Sequence, residues 1–286
     1  MLSRKKPNPP PSIYPVPEHD ADNELKRIYQ RTKTGLDVPW MGVVAMAFSH
    51  YPNFYNALWT SMEPITGSEQ FHNACFELRA TAENSAFKLG PQNLIQDLIE
   101  TGYSKREIED ILATNEIFSA GNMPYILMAS LARLLLEGHD WKTTSDIAKK
   151  DMFPTPQTRP VLIEYHHADK ELKKVYDDIK TVLGLSFLNT DYRALARWPT
   201  YLETSWSHLR KVIPQDIYEN AVTQTHLKAV NLAFNLPNAT QITADDLLKA
   251  TRKDAPVEEV LSVVRLFQWL LPGLAVNVAY FRQQLL

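Results

Sequence analysis

Apolar residues recur along much of this 286-residue chain at the three-and-four spacing of an amphipathic helix. Leu25, Ile28 and Tyr29 follow it, and Leu172, Val175 and Tyr176 repeat it further on. No run alternates apolar and polar residues as a strand would, and glycine is scarce, at 9 residues. The ends of helices are marked as well. Ser104-Lys105-Arg106-Glu107 is a capping box that opens a helix, and Gly102 can end the one before it. Thr243-Ala244-Asp245-Asp246 offers a second cap, and Pro199 suits the first position of a helix. Arg133, Arg265, Gln268 and Asn277 interrupt the apolar runs at 121–136 and 257–282, so these predict buried core helices rather than membrane spans. The pattern predicts an all-α fold with about six helices in each half of the chain.

The halves resemble each other. Residues 21–34, ADNELKRIYQRTKT, match residues 168–181, ADKELKKVYDDIKT, at an offset of 147. The same offset pairs Ala47 with Ala194, Pro52 with Pro199, Trp59 with Trp206, Trp40 with Phe187 and Tyr51 with Trp198. Further along it slips to 149, pairing Leu112 with Leu261 and Phe118 with Phe267. We divide the chain into an N-terminal arm (1–19), a first helical repeat (20–136), a linker (137–165) and a second repeat (166–286). The linker carries Pro154, Pro156 and Pro160 and has little periodicity, as suits a surface connection. The prolines of MLSRKKPNPPPSIYPVP predict an extended arm. Two such repeats are expected to pack as a pseudo-dimer, with the seam a natural place for a pocket.

Composition narrows the function. Hydrophobic residues make up 44% and charged residues 22%, with a formal net charge of −3. That balance calls for neither nucleic acid nor an acidic membrane. The N-terminus has no apolar stretch of the secretory kind, and we expect a cytoplasmic protein. The one cysteine, Cys75, excludes an intrachain disulfide and a Cys-x-x-Cys redox pair, and on an apolar helix face it reads as an inert core thiol. His166 and His167 lie near Glu164 and Asp169, but adjacent helical residues point about 100° apart, so a metal site is not expected. The phosphate-loop, dinucleotide, zinc-protease and serine-elbow motifs are all missing.

One position breaks the repeat. Asp191, in Asn189-Thr190-Asp191-Tyr192-Arg193-Ala194-Leu195-Ala196-Arg197-Trp198-Pro199, falls opposite Val44. The plain reading makes Thr190 a helix N-cap and Asp191 a first-turn carboxylate that complements the helix dipole. Likewise Asn122, in Gly121-Asn122-Met123-Pro124-Tyr125, reads as the cap of a following helix with Pro124 in its first turn. Trp40, Trp59, Trp198 and Trp206 read as core aromatics.

The segment Thr190 to Pro199 resembles the catalytic segment of the group I 2-haloacid dehalogenases, which act on D- or on both D- and L-2-haloalkanoic acids. Val38-Pro39-Trp40 is similar to that family's Trp-bearing start of an early helix, Glu100-Thr101-Gly102-Tyr103 to its mid-repeat turn, and Gly121 to Tyr125 to its Asn-x-x-Tyr site. The resemblance extends over most of the chain and implies the same tandem all-α fold. By it, Asp191 matches the aspartate that activates water and Asn122 the asparagine that helps hold that water. Trp40, Tyr125 and Thr190 match residues lining the substrate pocket, and Val43 stands where family members carry an aromatic.

The implied reaction displaces halide from an sp3 carbon by water, with inversion and no covalent intermediate. A competing route makes Asp191 itself the nucleophile, with an ester intermediate, and the resemblance favours direct attack. An exposed aspartate, with a pKa near 3.9, is a weak base, and burial beside Trp and Tyr would strengthen it. Backbone N–H groups at the start of the Thr190 helix could receive the substrate carboxylate. The expected partner is a small 2-haloacid, with no cofactor, metal, nucleic acid or membrane, and a homodimer is left open. Two rivals stand beside this reading: a decarboxylase-like enzyme of the helical carboxymuconolactone decarboxylase and alkylhydroperoxidase-like group, and a non-catalytic binder.

Overall fold

In the computed structural model, which describes residues 2–141, 147–148 and 158–286, twelve helices and no strands are found. The first six are α1 (Asn23–Leu36), α2 (Val43–Phe48), α3 (Pro52–Thr66), α4 (Glu69–Phe87), α5 (Ile95–Glu100) and α6 (Lys105–Leu136). The second six are α7 (Lys170–Leu183), α8 (Thr190–Leu195), α9 (Pro199–Val212), α10 (Asp216–Phe234), α11 (Ala244–Thr251) and α12 (Val257–Gln283). Helices α1 to α4 start at residues 23, 43, 52 and 69, and α7 to α10 each start 147 residues later. The linker prolines Pro154 and Pro156 lie outside the described residues, as does most of 142–157.

The repeat extends to individual hydrogen bonds. Asp22 caps α1 by accepting from the Leu25 amide, and Asp169 caps α7 by accepting from Leu172, each at 2.8 Å. Both helices end in a left-handed residue, Asp37 (φ 51°) and Gly184 (φ 62°). The Tyr29 hydroxyl donates to the Val16 carbonyl at 2.7 Å, and Tyr176 to Ile163 at 2.8 Å. The Val16 amide in turn donates to Met46, and Ile163 to Arg193, both at 3.0 Å. The end of the N-terminal arm and the end of the linker are therefore equivalent segments, docked in the same way on their own halves.

The long helices α6 and α12 pack along each other and form the spine of the molecule. Every residue from Gly121 to Leu136 is buried, as is every residue from Leu270 to Phe281. The apolar stretch of α12 is long enough by composition to cross a membrane, but 78% of it is buried within the protein. Capping boxes open α6 at Ser104 and α11 at Thr243, and Pro199 starts α9. The expected helix start at Asn122 is corrected: Asn122 and Pro124 lie inside the 32-residue α6. Proline costs that helix one backbone hydrogen bond and normally disfavours an interior place. Burial on all sides decides otherwise here, and α12 carries Pro272 in the same way.

The extended arm crosses the spine. The Leu2 carbonyl accepts from His226 Nε2 and the Ser3 carbonyl from Arg133 Nη1, each at 2.9 Å. Arg4 and Lys6 lie over the Trp269 ring at 5.3 and 4.9 Å, and Lys6 also donates to the Gly184 carbonyl at 2.8 Å. Cys75 lies half-buried on α4, where burial pushes its thiol pKa up, as suits an unreactive group.

One close approach sets the geometry around Trp40. A Cβ added at Gly121 would lie 2.4 Å from Trp40 Cη2, and the indole is itself packed 4.7 Å from the Phe118 ring. Gly121→Ala should therefore lower unfolding stability by about 1–3 kcal/mol, despite the gain of roughly 1 kcal/mol that alanine brings to a helix. Chemical denaturation checks this, and an unchanged or raised midpoint would contradict the close packing.

Candidate active site

Asp191 is the second residue of the six-residue helix α8. Asn189 holds the cap position in extended geometry and Thr190 is already helical, which corrects the expectation that Thr190 caps. With the extended step taken one residue earlier, the Thr190 hydroxyl faces the next turn and accepts from Arg193 Nη2 at 3.3 Å. Tyr192 fixes α8 against the spine. Its hydroxyl accepts from Asn277 Nδ2 at 2.9 Å, and Asn277 Oδ1 accepts from the Tyr218 hydroxyl at 2.8 Å.

Asp191 is 3% exposed, and Asn122 Nδ2, reaching across from α6 in the other half, donates to its Oδ1 at 2.7 Å. Burial pushes the Asp191 carboxyl up to about 6, while the Asn122 hydrogen bond, its own backbone N–H and the Arg193 charge pull it back down. The result is a base close to neutrality, ionised at pH 7 yet much stronger than a solvated aspartate. The equivalent positions are apolar. Val44 stands 147 residues before Asp191, and Leu270 stands 148 after Asn122, the offset that pairs Pro124 with Pro272; both are buried. Of these equivalent positions, one holds a carboxylate.

Beside this pair opens a cleft of about 770 Å³. Its lining falls into residues 147 apart: Pro17 with Glu164, Trp40 with Phe187, Val43 with Thr190, and Met46 with Arg193. The cleft therefore lies on the seam, between equivalent surfaces of the two halves. Trp40, Val43 and Thr190 line it. Asp191 and Asn122 adjoin it without lining it: Asp191 follows Thr190 in sequence, and Asn122 follows Gly121, which abuts Trp40. Tyr125 is 1% exposed and lies behind Trp40. Its hydroxyl donates to the Trp40 carbonyl at 2.8 Å and accepts from the Gly42 amide at 2.9 Å, which fixes the chain entering α2.

The Glu164–Arg193 pair carries no local signature in the sequence. Arg193 Nη1 donates to both Glu164 oxygens, at 2.7 and 2.9 Å, on the cleft wall. Applying the 147 offset to the cleft would have marked it, since the opposite residues are Pro17 and Met46. Asn189, the cap residue of α8, is 4% exposed, and its Oδ1 is buried without a hydrogen-bond partner. The His166 and His167 rings lie 4.0 Å apart, and no cluster of three or more metal-ligating side chains occurs among the described residues.

Fold and site together define an all-helical tandem-repeat protein with a buried carboxylate base beside an inter-repeat cleft. No protein-family model matches the sequence. The chain is 42% identical to an (R)-2-haloacid dehalogenase of Rhizobium sp. (strain NHG3), over 85% of this chain and 96% of that one. It is 36% identical to an (R)-2-haloacid dehalogenase of Pseudomonas putida, over 96% and 93% of the two chains. A configuration-inverting 2-haloacid dehalogenase of Pseudomonas sp. (strain 113) is 26% identical over 69% and 66%. The solved structure of a D-2-haloacid dehalogenase in complex with L-LA superposes with a TM-score of 0.90 at 35% identity, covering 96% of this chain and 97% of that one. The chain belongs to the group I 2-haloacid dehalogenase family.

The raised Asp191 pKa has a consequence for stability. The folded value, about 6, lies above the usual 3.9, so the buried carboxylate costs stability once ionised. The cost is absent below about pH 4, where the group is protonated in both states, and complete above about pH 6. Asp191→Asn retains an oxygen for Asn122 to donate to and removes the charge. We expect the variant to be more stable than the parent by roughly 2–3 kcal/mol at pH 7, with the difference vanishing near pH 4. Urea melts at the two pH values measure it, and a variant less stable at pH 7 would show that Asp191 is held chiefly for structure.

Proposed function

We propose that this chain hydrolyses D-(R)-2-haloalkanoic acids to the 2-hydroxy acids of opposite configuration, releasing halide. The observation that carries this reading is the buried Asn122–Asp191 pair beside the cleft, a base near pH 6 held by a hydrogen bond between the halves. The names of the relatives supply the substrate class.

In this mechanism water is the nucleophile. A carboxylate offers about four acceptor positions, and Asn122 and the Asp191 backbone N–H use two of them, so others remain for a water proton. As the water oxygen forms its bond to Cα, the carbon–halogen bond breaks, the halide leaves with the electron pair and the proton passes to Asp191. With a pKa of about 6, the carboxylate is about nine-tenths ionised at pH 7, close to the best compromise between availability and basicity. Asn122 fixes the orientation of the carboxylate. The Trp40 and Phe187 rings on the cleft wall provide a weakly polar surface suited to a large, poorly hydrated halide. Nothing in this route calls for a metal or a cofactor. Attack opposite the leaving group inverts the centre once, in line with the name of the relative from strain 113.

Four outcomes follow. Given racemic 2-chloropropionate, the enzyme should stop at half conversion, leaving the L-acid and yielding L-lactate; consumption of both enantiomers on chiral chromatography would refute the D preference. A single turnover in H2(18)O should place the label in the lactate, whereas label retained in the protein would make Asp191 the nucleophile. Asp191→Asn should lower kcat by about 10²–10⁴ while the fold is kept. Asn122→Ala removes a bond that depresses the Asp191 pKa, so the acid limb of kcat/KM should move upward from about pH 6, with kcat falling about tenfold or more. A limb that stays in place would show that Asn122 does not govern the base.

A further inference from the structure

The cleft is symmetric in backbone and asymmetric in chemistry. On the α8 side stand Thr190 and the Arg193–Glu164 ion pair. At the equivalent places on the α2 side stand Val43, Met46 and Pro17. Thr190, Arg193 and Glu164 thus face apolar residues, whereas nearer the rim the equivalent pairs Glu18 with Tyr165 and His19 with His166 are polar on both sides. Pro15 extends the apolar wall, and both prolines come from the end of the N-terminal arm. That segment is held firmly: its Val16 amide donates to the Met46 carbonyl, and its Val16 carbonyl accepts from the Tyr29 hydroxyl. Glu18 on the same side is paired with Lys33 at 2.5 Å and Arg159 at 3.5 Å, so its charge is compensated.

A 2-haloacid is itself two-sided, with a carboxylate and an alkyl substituent on one carbon. Asp191 lies on the polar side, next to Thr190, so the reacting carbon belongs there. The cleft volume, about 770 Å³, lies within the roughly 300–1,000 Å³ that takes a drug-sized ligand, far beyond the need of a three-carbon acid. Building on the functional reading above, we propose that the wall of Pro15, Pro17, Val43 and Met46 receives the alkyl chain, and that the preferred substrates are 2-haloacids with substituents of four carbons or so, longer than propionate. Each buried methylene contributes about 0.8 kcal/mol, close to a fourfold gain in affinity, so three added carbons can outweigh the cost of ordering the chain. The N-terminal arm, as one side of this wall, is then a specificity element of the site.

The test compares 2-bromohexanoate with 2-bromopropionate. The full-length protein should show a kcat/KM for the six-carbon acid several-fold above that for the three-carbon acid; an equal or lower value would overturn the proposal. Met46→Arg places on this wall the residue found at the equivalent position of the other. It should lower the hexanoate-to-propionate ratio at least tenfold, and Met46→Leu should restore it to within about threefold. If Met46→Arg does not fold, as judged by circular dichroism, Pro17→Glu makes the corresponding change on the arm, with the same expected fall. An unchanged ratio in a folded variant would overturn the proposal. Binding is followed separately, by calorimetry with 2-hydroxyhexanoate and lactate. Tighter binding of the six-carbon acid, lost in Met46→Arg, would uphold the wall even if no halide were released and the dehalogenase reading failed. Equal binding of both acids would refute the wall while leaving dehalogenation intact.

Discussion

The hydrogen bond from Asn122 to Asp191 spans the two halves of the molecule, and the design of the site depends on it. A carboxylate that is 3% exposed pays a desolvation penalty that grows steeply without compensation. Asn122 and the backbone N–H offset enough of that penalty to hold the pKa at about 6. With less compensation the group would be protonated at neutral pH and useless as a base; with more, it would lose basicity. The spine of α6 and α12 brings Asn122 to α8, and burial of every residue from Gly121 to Leu136 and from Leu270 to Phe281 keeps the donor in place.

Duplication accounts for the scaffold and divergence for the chemistry. The caps of α1 and α7, the docking of Val16 and Ile163, and the tyrosines beneath them repeat almost atom for atom. These bonds satisfy helix ends and connecting backbone, a requirement that both halves share. Where the halves meet, the requirement differs. The places equivalent to Asp191 and Asn122 are filled by the buried apolar residues Val44 and Leu270, so the base and its donor occur once. The same logic runs along the cleft, where Arg193 and Glu164 face Met46 and Pro17.

The connecting segments take part in the site as well. Chain ahead of the first helix of each half, 14–19 and 161–166, lies against its own α2 or α8 and supplies cleft wall. The arm continues from there to α12, where Arg4 and Lys6 pack on Trp269 and Leu2 and Ser3 are held by His226 and Arg133. It thereby ties both halves from the outside, while Asn122 and Asp191 join them from within.

Much of this was written in the sequence. The three-and-four spacing gave helices, the capping boxes gave the starts of α6 and α11, and the 147 offset gave the duplication and marked Asp191 as the residue without a counterpart. These features are local or self-referential, so they need no knowledge of which surfaces meet. Other features depended on packing. Local propensity placed a helix start at Asn122 and Pro124, and only burial on every side shows why one helix runs through them. Thr190 read as a cap because the extended geometry of Asn189 is invisible in residue types alone. Tyr125 read as a pocket residue, whereas its hydroxyl is spent on the Trp40 carbonyl and the Gly42 amide. The Asn122–Asp191 bond joins residues 69 apart, and the Glu164–Arg193 pair joins the linker to α8. The chain by itself thus determined the helices, their duplication and the lone carboxylate. The tertiary structure alone decided the strength of that carboxylate as a base, because desolvation and hydrogen bonding are set by the neighbours that long-range packing brings to it.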